Sequence, residues 1–216
     1  MCDELADDPD FNIDSSVDLW VQDFTWNSRE TPYDLLAFRK VTPKEIARFK
    51  KEMGKLVITE PPWDAAQLIM IDQQGSRTER QTLLIPMGST PGRFIGVQNM
   101  RAAFPLEHIR RKSIQLVRFQ MLMVGKGRFV VIMECDTGET SLLHRDTLKE
   151  VPAELVYSAA AMVPFPVRYS HLYTGIKIPE TMKEAMFEPL FLANHESFRP
   201  SYADNAPQIG NFFFKL

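Results

Sequence analysis

Residues 114–144 read IQLVRFQMLMVGKGRFVVIMECDTGETSLLH, and this stretch decides the fold class. Three apolar runs, Ile114 to Val124, Arg128 to Cys135 and Thr140 to His144, are rich in the β-branched, aromatic and aliphatic residues that suit strands. Gly125–Lys126–Gly127 and Asp136–Thr137–Gly138 separate them as tight turns, so the stretch predicts a β-meander. Working toward the N-terminus, Arg93 to Gln98 is a further strand entered through the turn Thr90–Pro91–Gly92. Short apolar runs at 82–87, 67–72 and 56–59 read the same way. Between them and the start lies a helix at 43–53. Thr42 caps it, Pro43 takes its first position, Glu45 completes a capping box and Gly54 ends it. A short helix is expected at 101–111. Toward the C-terminus, Asp146 caps a turn of helix before Pro152, and 154–162 fits either helix or strand. A helix kinked at Pro189 is expected at 180–192, and a last strand at 209–214.

The chain has 216 residues, 44% of them hydrophobic, and a formal net charge of −3. That length buries a sizeable core, and that apolar fraction excludes a wholly disordered chain. No run reaches the roughly 18 apolar residues of a membrane span, and the acidic start lacks the basic-then-apolar order of a signal peptide. Two cysteines, Cys2 and Cys135, are too few for a disulfide framework or a cysteine-based zinc site. These features point to a soluble intracellular protein. The charge is unevenly laid out: residues 1–34 hold ten acids against Arg29 alone, −9 in all, which leaves +6 for the rest. Like charges at that density extend a chain, so 1–34 is expected as an acidic tail and 35–216 as the folded domain. Val17, Leu19, Trp20, Phe24 and Trp26 interrupt the acids. Two tryptophans exceed what a spacer needs, so the segment docks, either on its own domain or on a partner.

Signals for catalysis are poor. His108, His144, His171 and His195 are scattered without metal-ligand spacing, and no nucleophile elbow, P-loop or dinucleotide fingerprint occurs. Cys135 stands between Glu134 and Asp136, whose charges oppose thiolate formation, so it reads as a buried strand residue. His144 with Asp146 is the remaining pair for an unusual enzyme. Arg110, Arg111 and Lys112 form a basic cluster near Arg118, Lys126 and Arg128. It either contacts phosphate or answers the acidic tail within the same chain.

The stretch from Leu83 to Tyr169 resembles an extended Tudor domain, a Tudor barrel inserted into a staphylococcal-nuclease-like fold. Leu84–Ile85–Pro86–Met87 followed by Thr90–Pro91–Gly92–Arg93–Phe94–Ile95–Gly96–Val97–Gln98 is similar to the family's opening hairpin. Asp136–Thr137–Gly138–Glu139 falls where the family has D-Y-G-N, and Leu148–Lys149–Glu150–Val151–Pro152 where it has L-R-x-L-P. The resemblance implies an α+β domain: a small bent antiparallel barrel, its core at about 112–152, with a nuclease-like, OB-type half and flanking helices. It also implies binding of methylated arginine in an aromatic cage. Thr137 replaces the cage tyrosine and Glu139 the asparagine, and only Phe119 stands near the first barrel strand, so the cage is degenerate. The expected function is a non-enzymatic protein–protein adaptor in a ribonucleoprotein or small-RNA-silencing (piRNA-type) assembly, in cytoplasmic granules or the nucleus. Its partner-binding residues are Trp20, Phe24 and Trp26 in the tail with Phe119, Thr137 and Glu139 on the barrel. Arg110, Arg111 and Lys112 are the candidates for phosphate contact. No cofactor, metal or membrane is expected. The alternative is a viral structural or RNA-associated protein that binds nucleic acid through its cationic body.

Overall fold

A computed structural model describes residues 5, 7–26, 35–74, 78–98, 116–146, 151–163 and 170–172. Its strands are β1 (Asp18–Trp26), β2 (Leu35–Lys40), β3 (Leu68–Gln74), β4 (Thr78–Pro86), β5 (Arg93–Gln98), β6 (Val117–Val124), β7 (Phe129–Glu134), β8 (Thr140–Arg145) and β9 (Ser170–Leu172). Each of the first eight pairs antiparallel with its neighbour in sequence, and β8 returns to β1. The result is a closed eight-stranded up-and-down barrel, an arrangement that leaves no free sheet edge. β9 adds beside the far half of β1, opposite Phe24 to Trp26. All the described strands belong to this one sheet. The expected α+β class and bent antiparallel barrel are therefore what forms.

The barrel is larger than expected. It starts at Asp18 and takes in every strand up to Arg145, so 112–152 covers only β6 to β8. Residues 18–26, assigned by charge to a tail, are a barrel wall paired to β2 on one side and β8 on the other. The repulsion that argued for a tail is removed locally: Arg145 Nη1 lies 2.5 Å from Asp18 Oδ2, and His144 Nδ1 lies 2.7 Å from Asp23 Oδ2. The strand expected at 56–59 does not form, because the amides of Leu56 and Val57 both donate to the Met53 carbonyl and prolong the end of the preceding helix as a turn. Residues 153–161 settle as a helix. The elements expected at 101–111, 180–192, 209–214 and just after Asp146 lie outside the described residues.

Both faces of the sheet are covered, which explains runs such as Leu68–Ile71 and Val130–Met133 without polar alternation. Inward side chains from all eight strands, including Trp20, Phe38, Met70, Leu84, Phe94, Phe119, Ile132 and Leu143, fill the lumen. Gly96 is needed there: a Cβ would stand 2.5 Å from the Phe119 ring and 2.8 Å from Thr82 Cγ2. Outside, α2 (Pro43–Met53) and a 3-10 turn (Trp63–Ala65) lay Phe49, Met53 and Trp63 over β1 to β5. The Thr42–Glu45 capping box is present, and Glu45 also holds Arg39 through two hydrogen bonds, at 2.5 and 3.0 Å, in a buried pair. On the opposite outer face, α3 (Ala153–Ala161) packs Val156, Ala159 and Ala160 onto Phe24, Trp26, Phe129 and Leu142.

One end of the barrel is shut by the start of the chain. Leu5 joins the outer apolar cluster, Asp7 holds Arg93, and Asp8 Oδ2 accepts from the Met123 amide. Phe11 stacks edge-on against Phe94, and α1 (Ile13–Ser16), capped by Asn12, closes the lumen. Trp20 Nε1 donates to the Ser16 carbonyl across 2.9 Å. The Arg145 guanidinium lies 4.6 Å above the Trp20 ring and also bonds the carbonyls of Ser15 and Gly127.

Trp20 is a core residue, so Trp20→Ala is expected to destabilise the fold by about 3–5 kcal/mol. Guanidinium denaturation of purified chain measures this. An unchanged midpoint would return residues 18–26 to the status of a dispensable tail.

Candidate functional site

The sequence-nominated partner-binding residues separate into two groups. Trp20 and Trp26 are at most 1% exposed and Phe24 is 6% exposed. Phe24 and Trp26 stack edge-on at 4.8 Å, and Tyr157 of α3 covers Phe24. Their docking is on this chain's own barrel, so these three are not available as anchors for a partner. Phe119 is likewise buried, pointing into the lumen. Thr137 and Glu139 remain near the surface in the β7–β8 turn. There the Glu139 amide donates to Thr137 Oγ1 across 3.2 Å, and Asp136 receives Arg118 at 2.5 Å. That guanidinium holds the Asp136 carboxyl below the usual carboxylate range. Phe119 faces inward while Thr137 and Glu139 occupy the turn, so the three do not converge on one surface. Arg110, Arg111 and Lys112 lie outside the described residues.

The lumen offers hydrogen-bonding groups but little room. Gln22, Thr25, Thr82 and Ser141 are all buried, and Ser141 Oγ donates to Gln22 Oε1 across 3.3 Å. Gln22 Nε2, Thr25 Oγ1 and Thr82 Oγ1 have no hydrogen-bond partner among the described residues. The apolar residues beside them are equally sealed, so the barrel is a packed core. Eight strands enclose just enough space for side chains or one small ligand, and here the side chains take it.

His144 pairs with Asp23 and not with Asp146, whose amide instead donates to the Leu19 carbonyl. The pairing depends on a β-bulge. The register between β1 and β8 shifts between Gln22 and Phe24, and the extra residue, Asp23, turns onto His144. Sequence spacing alone gave no sign of this, because the two residues are 121 positions apart. Burial pushes the Asp23 carboxyl up, against the opposing pull of the hydrogen bond and charge of His144. Such a dyad orients an imidazole, and among the described residues no three His, Cys, Asp or Glu side chains group to hold a metal. Cys135 is buried, as expected, and disulfide-bonded, which removes it as a nucleophile. Among the described residues no helix is long and apolar enough to cross a membrane.

A carboxyl whose folded pKa is raised contributes stability that is complete at pH values below its unfolded pKa and fades as pH rises through the folded one. Thermal melts from pH 3 upward on wild type and Asp23→Asn test this. The wild type is expected to lose midpoint relative to the variant across the range just above the ordinary carboxylate pKa. Parallel curves would show that Asp23 ionises unhindered.

No protein-family model matches this chain, and no curated protein matches it in sequence.

Proposed function

We propose that this chain is a non-enzymatic protein–protein interaction module, an adaptor that binds through its outer surface. The supporting observation is the filled lumen: a barrel packed with its own Trp20, Phe38, Phe94 and Phe119 has no interior left for a substrate or a carried ligand. What remains for recognition is the exterior, where Thr137 and the flanking turn, the outer side of α2 and the outer side of α3 meet solvent.

The narrower setting, a ribonucleoprotein or small-RNA-silencing assembly, rests on the extended Tudor likeness of Leu83 to Tyr169. Methylarginine reading is not part of the proposal, since Phe119 is sealed inside and Thr137 and Glu139 supply no ring. A dimethylarginine peptide titrated into the protein is expected to give no saturable signal; saturation at micromolar peptide would restore the cage. Intact-mass measurement of the native protein is expected to show a mass gain on reduction, as the Cys135 disulfide requires; an unchanged mass would show the thiol free.

Capture by the intact chain tests the adaptor reading, and the whole chain is required because a fragment starting at residue 35 lacks β1. A protein partner is expected to be retained after nuclease treatment and at high salt. Retention of nucleic acid alone, falling steeply with salt, would favour the nucleic-acid alternative instead.

A further inference from the structure

The inner side of α2 is fully engaged, with Phe49 and Met53 in the outer apolar cluster and Glu45 on Arg39. Its outer side is not. Lys44, Arg48 and Lys51 follow one another at spacings of four and three residues, which aligns them in a single stripe along the helix. Lys55 continues the stripe just past the helix end, where the Leu56 and Val57 amides keep the chain turned onto the Met53 carbonyl. At about 1.5 Å of rise per residue, the stripe from Lys44 to Lys55 is roughly 16 Å long. Arg48 is answered by Glu52 at 3.0 Å, and Lys50, on the flank, by Glu60 at 3.8 Å. Lys44, Lys51 and Lys55 are exposed and take part in none of the ion pairs among the described residues. Elsewhere Arg39, Lys40, Arg93, Arg118 and Arg145 each hold a carboxylate. Lys126 and Arg128, in and beside the β6–β7 turn, are likewise exposed and outside those ion pairs, so the α2 stripe is one of two exposed patches of positive charge.

Ile58 stands three residues beyond Lys55 and is 67% exposed, the most exposed of the large hydrophobic side chains described. A solvated helix face needs lysines but has no use for an isoleucine held in water at the end of the stripe. We infer that the Lys44–Lys51–Lys55 stripe with Ile58 is a docking surface for an acidic peptide segment of a protein partner, one that carries an apolar residue to seat on Ile58. The inference rests on the adaptor reading and names the partner's chemistry. Charge complementarity selects an anion, and Ile58 selects between anions. A nucleic-acid backbone is satisfied by the lysines alone and leaves Ile58 wet. Stacking on bases would require an aromatic, and among the described residues the one aromatic in the exposed large hydrophobics, Tyr157, belongs to α3. A carboxylate-rich peptide with an intervening aliphatic residue uses both features, since interface energy gathers at a few desolvated apolar anchors ringed by polar contacts.

Fluorescence anisotropy on the full chain tests this with three labelled probes of matched length: a Glu-Glu-Leu repeat peptide, a poly-Glu peptide and an oligouridine. The Glu-Glu-Leu peptide is expected to bind most tightly. Burying an isoleucine is worth enough that Ile58→Ser should weaken that probe about tenfold, toward the poly-Glu value. The double variant Lys51→Glu with Lys55→Glu should abolish binding of all three. All these positions are exposed, so unchanged thermal midpoints are expected and confirm intact folding. Oligouridine binding as tightly as the Glu-Glu-Leu peptide, with Ile58→Ser without effect, would make the stripe a phosphate-backbone contact and overturn the inference. Peptide binding indifferent to both variants, or no binding of either peptide, would overturn it as well. In those cases the adaptor reading still stands or falls by the capture experiment, which uses other surfaces of the same chain.

Discussion

Closure of the barrel depends on Arg145. It ends β8, lies over the Trp20 ring of β1, and reaches Asp18, the Gly127 carbonyl and the Ser15 carbonyl. A guanidinium suits this place because its planar face stacks on the indole while its rigid fork serves several acceptors at once. A lysine offers neither. The stacking contributes about 0.5–2 kcal/mol in a partly desolvated site. More important is what it joins: the first strand, the last barrel strand and the short helix that stops the lumen. A sheet of eight strands has two edges until those strands meet, and this residue stands where they do.

Once the barrel is closed, the rest follows from covering a sheet on both faces. The inward residues fill the lumen, leaving each strand's outward apolar residues to be sheltered by α2, by α3 and by the N-terminal segment. That is why Leu5 and Asp7 to Ser16 lie against the barrel. Asp7, Asp8, Asp18 and Asp23 do not repel one another freely in solution. They are distributed to Arg93, the Met123 amide, Arg145 and His144. The −9 segment and the +6 body are thus partly one electrostatic unit, with positive charge left exposed along α2 and at the β6–β7 turn.

Legibility differed from element to element for physical reasons. Local signals were reliable where the local chain determines its own shape. The Thr42–Glu45 box, the Gly125–Gly127 turn and the Asp136–Gly138 turn stood where they were expected. Strands β3 to β8 were visible as apolar runs between turn residues. β1 was hidden because its acids looked like solvation, and their partners, Arg145 and His144, lie over a hundred residues away. The bulge that turns Asp23 outward has no sequence signature in DFT. The Lys44–Lys51–Lys55 stripe could have been read from helical spacing. Ile58 appeared instead as part of a strand, so its exposure was invisible.

By itself the sequence determined the meander, the α2 helix and its cap, and the absence of recognisable catalytic motifs, since each rests on contacts within a few residues. It also fixed the charge imbalance, which is arithmetic. Only the tertiary structure decided that the acidic, aromatic start is the first barrel strand, that Trp20 and Trp26 are core, and that His144 belongs with Asp23. Those outcomes depend on which distant strand completes the ring, and loop closure over a hundred residues leaves no local trace in the chain.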